Sequence, residues 1–359
     1  MARRHSAGPL LEKMSHTDAR LALIHDWLSR DLGLRPERVE PASNDASFRR
    51  YFRVLHGGAT SIVMDAPPDK EDVRPYLEVT RLLESIGVHV PHVHAADAER
   101  GLVLLEDFGS THYLSRLKAG GDPERLYADA LGALAQIQAH GAQAAMQLGP
   151  YDREALAREM DLMPEWFCAR HLGLELSSQE RDLLAATFEL LIAEALAQPQ
   201  VFVHRDYHSR NLMVLERRNP GILDFQDALR GPIGYDLVSL LKDCYISWPR
   251  ERVERWVRAY RRELDARGLR TGADEGQFLR WFDLIGVQRH VKVLGIFARL
   301  WHRDGKPGYL ADLPRTLDYV REACSLYPEL ADFGRFLELR IVPELPKANA
   351  RVLAEAASA

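Results

Sequence analysis

The sequence predicts an α+β fold with two lobes, a small β-rich lobe followed by a larger and mostly helical one. The first observation is length, because 359 residues exceed one average domain and allow two lobes that share a cleft. The second is patterning. Short apolar runs bounded by turn residues dominate before residue 105, whereas apolar residues at three- and four-residue spacing dominate after it.

Composition is that of an ordinary globular chain and excludes several classes of protein. The apolar fraction is 46% and the net charge is −5, which gives no electrostatic reason to expect a nucleic-acid partner. The three cysteines are widely spaced, so they form neither a disulfide framework nor a CxxC metal site. No apolar run is long enough for a membrane helix, and no apolar segment of a signal peptide follows the basic start. We therefore expect a cytoplasmic monomer with no membrane partner.

The small lobe is predicted to cover residues 18–105, after a flexible leader over residues 1–17. Its expected elements are a helix, a hairpin of two strands, a second helix and a buried strand, over residues 21–32, 48–55 with 61–64, 72–86, and 102–105. The character of the sequence changes at Glu106-Asp107-Phe108-Gly109, which we interpret as the hinge.

The large lobe is predicted to cover residues 110–350, followed by an Ala-rich tail over residues 351–359. Apolar spacing predicts helices near residues 124–139, 152–170, 178–197, 250–266, 275–303 and 314–326. Short apolar runs predict strands at residues 201–203, 212–215 and 221–223. Three short strands among helices do not form a βαβ pattern, which favours an α+β arrangement.

Three polar residues follow these short strands in an order that suits phosphoryl transfer. That reaction needs an acceptor for the proton of the attacking hydroxyl, oxygen ligands for Mg²⁺, cover for the phosphates and a slot for adenine. Asp206 lies in the loop after the first strand, Asn211 comes five residues later, and Asp224 ends the third strand. A carboxylate at a strand end is well placed as a hard oxygen ligand for Mg²⁺.

The loop His204-Arg205-Asp206-Tyr207-His208-Ser209-Arg210-Asn211, followed by Asp224-Phe225, resembles the aminoglycoside phosphotransferase and choline kinase superfamily. The resemblance covers most of residues 18–326 and implies a protein-kinase-like fold. A protein kinase would carry Lys in place of His208 and Gly in place of Gln226, and no Ala-Pro-Glu segment follows. The resemblance therefore disfavours a protein substrate.

Within that superfamily the chain resembles bacterial kinases that phosphorylate the anomeric C1 hydroxyl of N-acetylmuramate and N-acetylglucosamine in peptidoglycan recycling. The segments that carry this resemblance are 64–68, 105–109, 203–213 and the long and unusual 288–300. It implies ATP and Mg²⁺ as cofactors and a small-molecule amino sugar as substrate.

The resemblance also implies roles for single residues. Asp206 would be the catalytic base or would position the hydroxyl, and Asn211 and Asp224 would hold Mg²⁺. His208 would contact the γ-phosphate or, equally, brace the loop. Structural support of the loop is expected from His204 and Asp236.

The small lobe departs from the kinase pattern in two ways. The turn expected to cover the phosphates, residues 43–50, has no glycine, so Asn44, Ser47 and Arg49 are the candidates there. The lysine that pairs with the phosphates is missing, with Met64 in its place, so that either an arginine such as Arg53 or Mg²⁺ carries that role.

At the hinge, the backbone groups of Glu106 and Phe108 are expected to bind adenine.

The substrate side is predicted from a basic stretch. Arg289 and Lys292, with Arg299 and Arg303, fall close to one helical face, which suits an acidic substrate such as the lactyl carboxylate of N-acetylmuramate. Arg210 in the catalytic loop is a further candidate. Two alternatives stay open, namely that the stripe is a solvated helix face, and that sugar hydroxyls bind acidic residues, Glu159, Asp161 and Glu165.

The sequence is also compatible with two other functions. A phosphotransferase of aminoglycosides, choline or another hydroxylated amine would share the catalytic loop and show an acidic cleft. A catalytically idle nucleotide-binding scaffold would explain the missing lysine and glycines, although the intact Asp206, Asn211 and Asp224 argue against it. The sequence leaves open the preferred sugar, the anomer and the residue that replaces the lysine.

Overall fold

The computed structural model describes residues 19–43 and 48–358, which divide into two units. One unit contains the chain up to Arg81 together with Val90–Gly109, and the other contains Leu82–His89 and the chain from Ser110 onward. The predicted leader over residues 1–17 lies outside the described part. Residues 82–89, which were assigned to the small lobe from sequence, group with the second unit. One reason is that Ile222 N–H donates to the carbonyl of His89 over 2.8 Å.

The first unit is built on a five-stranded antiparallel sheet with the order β1-β2-β3-β5-β4. Its strands are β1 Arg38–Ser43, β2 Arg50–His56, β3 Ala59–Asp65, β4 Val93–Asp97 and β5 Leu102–Glu106. Both residues of the β2–β3 turn, Gly57 and Gly58, have positive φ, as a two-residue hairpin turn requires. The predicted hairpin and buried strand are confirmed.

The two edge strands were not predicted. Strand β1 contains Pro41, which sequence patterns associate with a strand edge or a break, and its pairing with β2 shifts between Pro41 and Ser43. Strand β4 is likewise irregular, with a register shift between Val93 and Ala95. Edge strands need only one regular neighbour, which is why their sequence signal is weak.

Helix α1, Ala19–Asp26, continues as a π-helical turn over Trp27–Asp31 and packs on the sheet. Its buried residues Ile24, Trp27 and Leu28 share one apolar cluster with side chains of β2, β3 and β5. Helix α2 follows β3 and covers Arg74–Ile86. Both predicted helices are therefore present.

The second unit is mostly helical. Its helices are α3 Tyr113–Lys118, α4 Pro123–His140, α5 Ala142–Ala145, α6 Arg153–Met160, α7 Ser178–Leu196, α8 Gly234–Leu241, α9 Arg250–Ala266, α10 Glu275–His302, α11 Leu313–Leu326, α12 Ala331–Phe336 and α13 Leu345–Ser358. π-helical turns cover Met163–His171 and Leu337–Ile341, and 3₁₀ turns cover Pro307–Asp312 and Pro328–Leu330. Over the residues that the structure describes, no helix is both long and apolar enough to cross a membrane.

Five of the six predicted helices match α4, α7, α9, α10 and α11 to within one or two residues. The helix expected over residues 152–170 is instead divided into α6 and the π-helical turn Met163–His171. Pro164 stands at the start of that turn and has no N–H to continue the regular hydrogen-bond ladder.

Helix α10 crosses the end of α6 at very short range. A Cβ atom at Gly295 would lie 2.4 Å from the carbonyl carbon of Leu162, which no side chain tolerates. The contact therefore requires glycine at this position. It brings the preceding turn of α10, with Lys292, against Glu159 of α6.

Two short strand pairs lie among the helices. Strand β6, Gln200–Val203, pairs antiparallel with β9, Leu229–Pro232. Strand β7, Leu212–Met213, pairs antiparallel with β8, Gly221–Ile222. The runs predicted at residues 201–203, 212–215 and 221–223 are confirmed as strands, although the second and third are shorter than expected.

His290, in the middle of α10, is enclosed in the core of the second unit. Its side chain is stacked on Tyr319 at 4.8 Å between ring centroids, and its Nε2 bonds to the carbonyl of Lys242 over 2.8 Å. Burial lowers the pKa of His290 to about 3. The folded protein therefore holds this imidazole neutral.

This burial makes stability depend on pH. In the unfolded chain His290 has an ordinary pKa of 6.5, so between pH 6.5 and 3 it binds a proton that the folded protein does not bind. The contribution of His290 to the free energy of unfolding is therefore complete above pH 6.5 and is lost as the pH falls towards 3.

His290→Gln retains an N–H donor and does not titrate. Between pH 7.5 and 5, the wild type should lose about 2 kcal/mol more free energy of unfolding than this variant, measured by urea denaturation. An identical pH dependence of the two proteins would contradict the assignment.

Candidate active site

The β7–β8 pair brings Asn211 and Asp224 together. Leu212 pairs with Ile222, so the residue before β7 lies opposite the residues after β8. The pairing continues by one bond, from Leu223 N–H to the carbonyl of Asn211 at 2.9 Å. At that point the Asn211 amide nitrogen donates to Asp224 Oδ2 over 3.2 Å.

This pair offers two oxygen atoms that could hold Mg²⁺. The Asn211 amide nitrogen also donates to the carbonyl of Asp206 over 3.0 Å, which leaves its amide oxygen to face a cation. Gln226 fixes the other oxygen of Asp224 through a 2.8 Å bond. Over the described ranges no group of three or more His, Cys, Asp or Glu side chains is arranged to hold a metal. Mg²⁺ fits this sparse set, because it retains several waters and takes further ligands from phosphates.

The loop of residues 204–211 is held by Asp236, which lies in the first turn of α8. Its carboxylate accepts the N–H of His204 at 2.7 Å and the N–H of Arg205 at 2.9 Å. Burial raises the pKa of Asp236 to about 7, although both amide hydrogen bonds favour the ionised form. The position matches the structural support that was predicted for this residue.

His204 braces the same loop from within. Its Nε2 bonds to the carbonyl of Leu223 over 3.0 Å, and its Nδ1 accepts the N–H of Asp206 at 3.2 Å. Those two partners require the proton on Nε2. Burial lowers the pKa of His204 to about 4, so the ring is neutral near pH 7.

Two residues of the site have left-handed backbones without being glycine. The φ of Arg205 is 77° and the φ of Asp224 is 63°. Such conformations cost about 1–3 kcal/mol each and persist where the surroundings hold them in place. Here they orient Asp206 and Asp224, the two carboxylates on which the predicted chemistry depends.

Two basic residues of α10 lie directly behind Asp206. Arg289 donates to the carbonyl of Arg205 over 2.9 Å, and its Nη2 lies 3.9 Å from Asp206 Oδ1. Lys292 pairs with Glu159 at 3.0 Å. Burial opposes ionisation of Asp206, but the charges of Arg289 and Lys292 lower its pKa to about 2. The Asp206 side chain remains 43% exposed, so it is both ionised and accessible.

Glu159 and two tyrosines complete this buried cluster. Glu159 accepts from Arg205 and from Tyr151, and Tyr235 accepts from Lys292 over 3.0 Å. Burial alone would raise the pKa of Glu159. The charges of Lys292 and Arg205 outweigh that effect and hold the pKa below its ordinary value. The cluster therefore keeps three cations buried against carboxylates and tyrosine oxygens.

These contacts decide the first of two alternatives left open by the sequence and bear on the second only at Glu159. Arg289 and Lys292 do not lie on a solvated face, because only 4% and 7% of their surfaces are exposed. Glu159 is enclosed by two cations rather than open to a ligand. On the same helix, Arg303 is exposed and pairs with Asp304. The predicted basic face is thus divided, with its first two members in the site.

The far end of the loop is held by Asp243 and packs on Tyr245. Asp243 accepts the N–H and the hydroxyl of Ser209, and the N–H of Tyr245 at 2.9 Å. The ring of His208 stands edge-on to Tyr245 at 5.5 Å between centroids, and burial lowers the pKa of His208. A neutral ring packed in this way suits the bracing role better than a cationic phosphate contact.

The first unit contains the other residues predicted to bind nucleotide. Asn44 and Ser47 lie outside the described residues. Arg49 pairs with Glu71 at 3.3 Å. Glu106 ends β5 and Phe108 is buried, with 8% of its surface exposed. Their role in adenine binding stays a prediction.

The position of the missing lysine is apolar. Met64 is fully buried in β3. Arg53, the candidate replacement, forms a two-pronged ion pair with Asp107 at 2.6 and 2.9 Å. That pair lowers the pKa of Asp107 against the effect of burial. Arg53 is thus engaged with a carboxylate of its own unit.

Comparison with known proteins places this arrangement in a family. The pattern of the phosphotransferase enzyme family matches residues 38–279, which is more than half of the chain and includes Asp206, Asn211 and Asp224. The chain belongs to the phosphotransferase enzyme family. It is an enzyme that transfers a phosphoryl group to a hydroxyl acceptor.

Curated relatives of this phosphotransferase share one name, N-acetylmuramate/N-acetylglucosamine kinase. The protein from Pseudomonas aeruginosa is 46% identical and the alignment covers 89% of this chain and 96% of the relative. The protein from Pseudomonas putida is 44% identical over 90% and 97%. The protein from Neisseria meningitidis is 46% identical over 86% and 92%.

Solved structures establish the fold of this phosphotransferase. Choline kinase LicA from Streptococcus pneumoniae superposes with a TM-score of 0.59 at 13% identity and covers 85% of this chain and 100% of its own. Aminoglycoside 2'-phosphotransferase-IIIa in its GDP complex gives 0.57 at 15% identity, covering 85% and 98%. The predicted bilobal α+β fold and the resemblance to this superfamily are confirmed.

Four residues of the phosphotransferase site were not assigned these positions from sequence, namely Tyr151, Glu159, Tyr235 and Asp243. One signal was available, namely a second carboxylate, Asp243, seven residues after Asp236 and just beyond the end of α8. Glu159 was considered from sequence only as a ligand of sugar hydroxyls, because its partners Arg205 and Lys292 are far away in the chain. Tyr151 donates to Glu159 itself.

The Asp236 support predicts a sharp loss on substitution. Asp236→Asn places an amide N–H₂ where one oxygen now accepts a buried N–H. We expect the free energy of unfolding to fall by about 2 kcal/mol, and kcat to fall about 100-fold as Asp206 moves. Urea denaturation and steady-state kinetics measure the two effects.

Ser239 on α8 provides the matched control. It is fully buried, and its hydroxyl has no hydrogen-bond partner within the described residues. Ser239→Ala should therefore change stability by less than about 0.5 kcal/mol and leave kcat intact. If the two variants behave alike, Asp236 does not support the loop.

Proposed function

We propose that this phosphotransferase is an ATP-dependent kinase of N-acetylmuramate and N-acetylglucosamine, which phosphorylates the anomeric C1 hydroxyl in peptidoglycan recycling. The observation that carries the proposal is that Asp206, Asn211 and Asp224 lie together, because Asn211 donates hydrogen bonds to both of the other residues. The shared name of relatives 44–46% identical over most of the chain supports the choice of sugar.

The proposed reaction uses Asp206 as the residue that orients the acceptor. The C1 hydroxyl oxygen attacks the γ-phosphorus of ATP, and the bond from that phosphorus to the β–γ bridging oxygen breaks. The products are ADP and the sugar 1-phosphate. Asp206 accepts a hydrogen bond from the hydroxyl and draws its proton away as the new bond forms. An ionised carboxylate is required for this, which is the state that Arg289 and Lys292 maintain.

Asn211 and Asp224 would hold Mg²⁺. A Mg²⁺ ion held there would supply positive charge against the negative charge that develops during phosphoryl transfer. The left-handed backbone at Asp224 and the amide of Gln226 orient the Asp224 carboxylate.

In the first unit, the backbone of Glu106 and Phe108 would bind adenine, and Asn44, Ser47 and Arg49 would face phosphates.

The substrate side is proposed to include Arg289, Lys292 and Arg210. The first two act from behind the loop, where they shape and charge the site. A choline or aminoglycoside kinase would favour carboxylates around its cationic substrate, whereas the carboxylates Glu159 and Asp206 are already matched by arginine and lysine. That balance favours a neutral or anionic sugar over a cationic amine.

The enzyme is proposed to act as a cytoplasmic monomer. Its three cysteines, Cys168, Cys244 and Cys324, are all free and buried, which suits a reducing compartment. ATP and a small hydroxylated sugar would also be available together there.

A direct assay tests the proposal. The purified enzyme with ATP, Mg²⁺ and either sugar should give an anomeric phosphate signal in ³¹P NMR. Asp206→Ala should reduce kcat about 10³-fold while circular dichroism and the unfolding midpoint stay near wild type. If the wild type forms no sugar phosphate while it still hydrolyses ATP, the sugar assignment is wrong. If Asp206→Ala remains fully active, the assignment of Asp206 is wrong.

The metal ligands predict a separate effect. Asn211→Ala removes one oxygen ligand and leaves Asp224, so the Mg²⁺ concentration for half-maximal rate should rise at least about tenfold. Saturating Mg²⁺ should restore much of the rate, which it should not do for Asp206→Ala. A Mg²⁺ titration of both variants checks this contrast. An unchanged Mg²⁺ requirement in Asn211→Ala would exclude Asn211 as a ligand.

A further inference from the structure

Arg210 differs from the other cations of the site in being accessible. Arg205, Arg289 and Lys292 each face a carboxylate and are largely buried. Arg210 is exposed, and within the described part of the chain it forms no salt bridge. Asp312 is close enough for its pKa to respond to Arg210, but its carboxylate pairs with Arg315 at 2.9 Å.

The guanidinium of Arg210 is nevertheless held in place. Its Cζ lies 3.6 Å from the centre of the Tyr245 ring and 5.8 Å from that of Tyr309. Tyr245 is itself fixed by the bond of its N–H to Asp243 and by contact with Phe297. Stacking leaves the edge of a planar guanidinium, with its N–H donors, directed outward.

The backbone of Arg210 is fixed as well. Its carbonyl bonds to His112 Nδ1 over 2.6 Å, and the preceding carbonyl of Ser209 accepts the N–H of Leu114 at 2.9 Å. Arg210 is therefore a cation whose chain and side chain are both ordered before a ligand binds. Such preorganisation reduces the entropy lost on binding.

The loop keeps this cation close to the reacting group. Arg210 follows Asp206 by four positions, so their Cα atoms are at most about 14 Å apart even in an extended chain. Two turns shorten that path, through the bonds of His208 N–H to the Asp206 carbonyl at 3.0 Å and Asn211 N–H to the His208 carbonyl at 2.9 Å.

We propose that Arg210, stacked on Tyr245, binds the carboxylate of the lactyl ether of N-acetylmuramate and so determines selectivity between the two sugars. The inference rests on the proposed sugar kinase function. The two substrates differ at O3, where N-acetylmuramate carries the lactyl group and N-acetylglucosamine a plain hydroxyl. O3 lies two ring carbons from the C1 hydroxyl that Asp206 orients. A guanidinium binds a carboxylate through two parallel hydrogen bonds, which suits this role.

The experiment compares kcat/KM for three acceptors, namely N-acetylmuramate, its methyl ester and N-acetylglucosamine. The ester retains the bulk of the lactyl group and lacks its charge. In the wild type, N-acetylmuramate should be preferred over the ester. Arg210→Met keeps a side chain that packs on Tyr245, and it should lower the ratio of kcat/KM for N-acetylmuramate over N-acetylglucosamine at least about tenfold.

Two further variants separate charge from stacking. Tyr245→Leu removes the platform but leaves the cation, and it should lower the same ratio by raising the KM for N-acetylmuramate. Arg217→Met is the matched control, because it removes one exposed arginine from the connection between β7 and β8. It should leave all three values unchanged.

Each result has a distinct meaning. A ratio that stays constant in Arg210→Met overturns the inference. An equal loss for every acceptor together with a raised KM for ATP also overturns it, because Arg210 would then bind nucleotide phosphate. If the wild type phosphorylates neither sugar, the proposed function itself fails, and the inference falls with it.

Discussion

The left-handed turn at Arg205 is the constraint on which the site depends. The chain leaves β6 and must reverse so that Asp206 projects outward, and it does so with a residue that has a Cβ. The conformation is held on both sides of the Arg205 Cα atom, through the peptide units that precede and follow it. The Asp236 carboxylate binds the N–H of Arg205, and the Arg289 guanidinium binds its carbonyl. Because both groups are buried, water does not compete for these two hydrogen bonds.

The buried charges around this turn are balanced by one another. Moving ions out of water is costly unless each one finds an opposite charge and hydrogen bonds. Glu159 does this for two cations at once, since it faces both Arg205 and Lys292. The remaining positive charge of Arg289 is directed at Asp206. Arrangements of this kind make the pKa of a reactive carboxylate a property of its setting rather than of its own exposure.

The sequence predicted the parts that rely on local pattern. Apolar spacing was enough to predict α9 and α10, and the order Asp206, Asn211, Asp224 was enough to predict that these residues lie together. It could not predict the burial of Arg289 and Lys292, because a row of basic residues along a helix looks the same in sequence whether it faces water or a carboxylate on another helix. Only the close crossing at Gly295 decides between the two, and that contact joins residues 133 positions apart.

The long reach of these contacts has a consequence for the order of folding. The three supports of the loop come from sequence separations of 31 residues for Asp236 and 84 for Arg289, with Lys292 reaching back to Glu159. Contacts of large separation form slowly, because loop closure must precede any gain from them. During synthesis the loop therefore emerges well before the helix that secures it. The site should therefore become active only after α10 has packed in place, when the strands and the earlier helices have already formed.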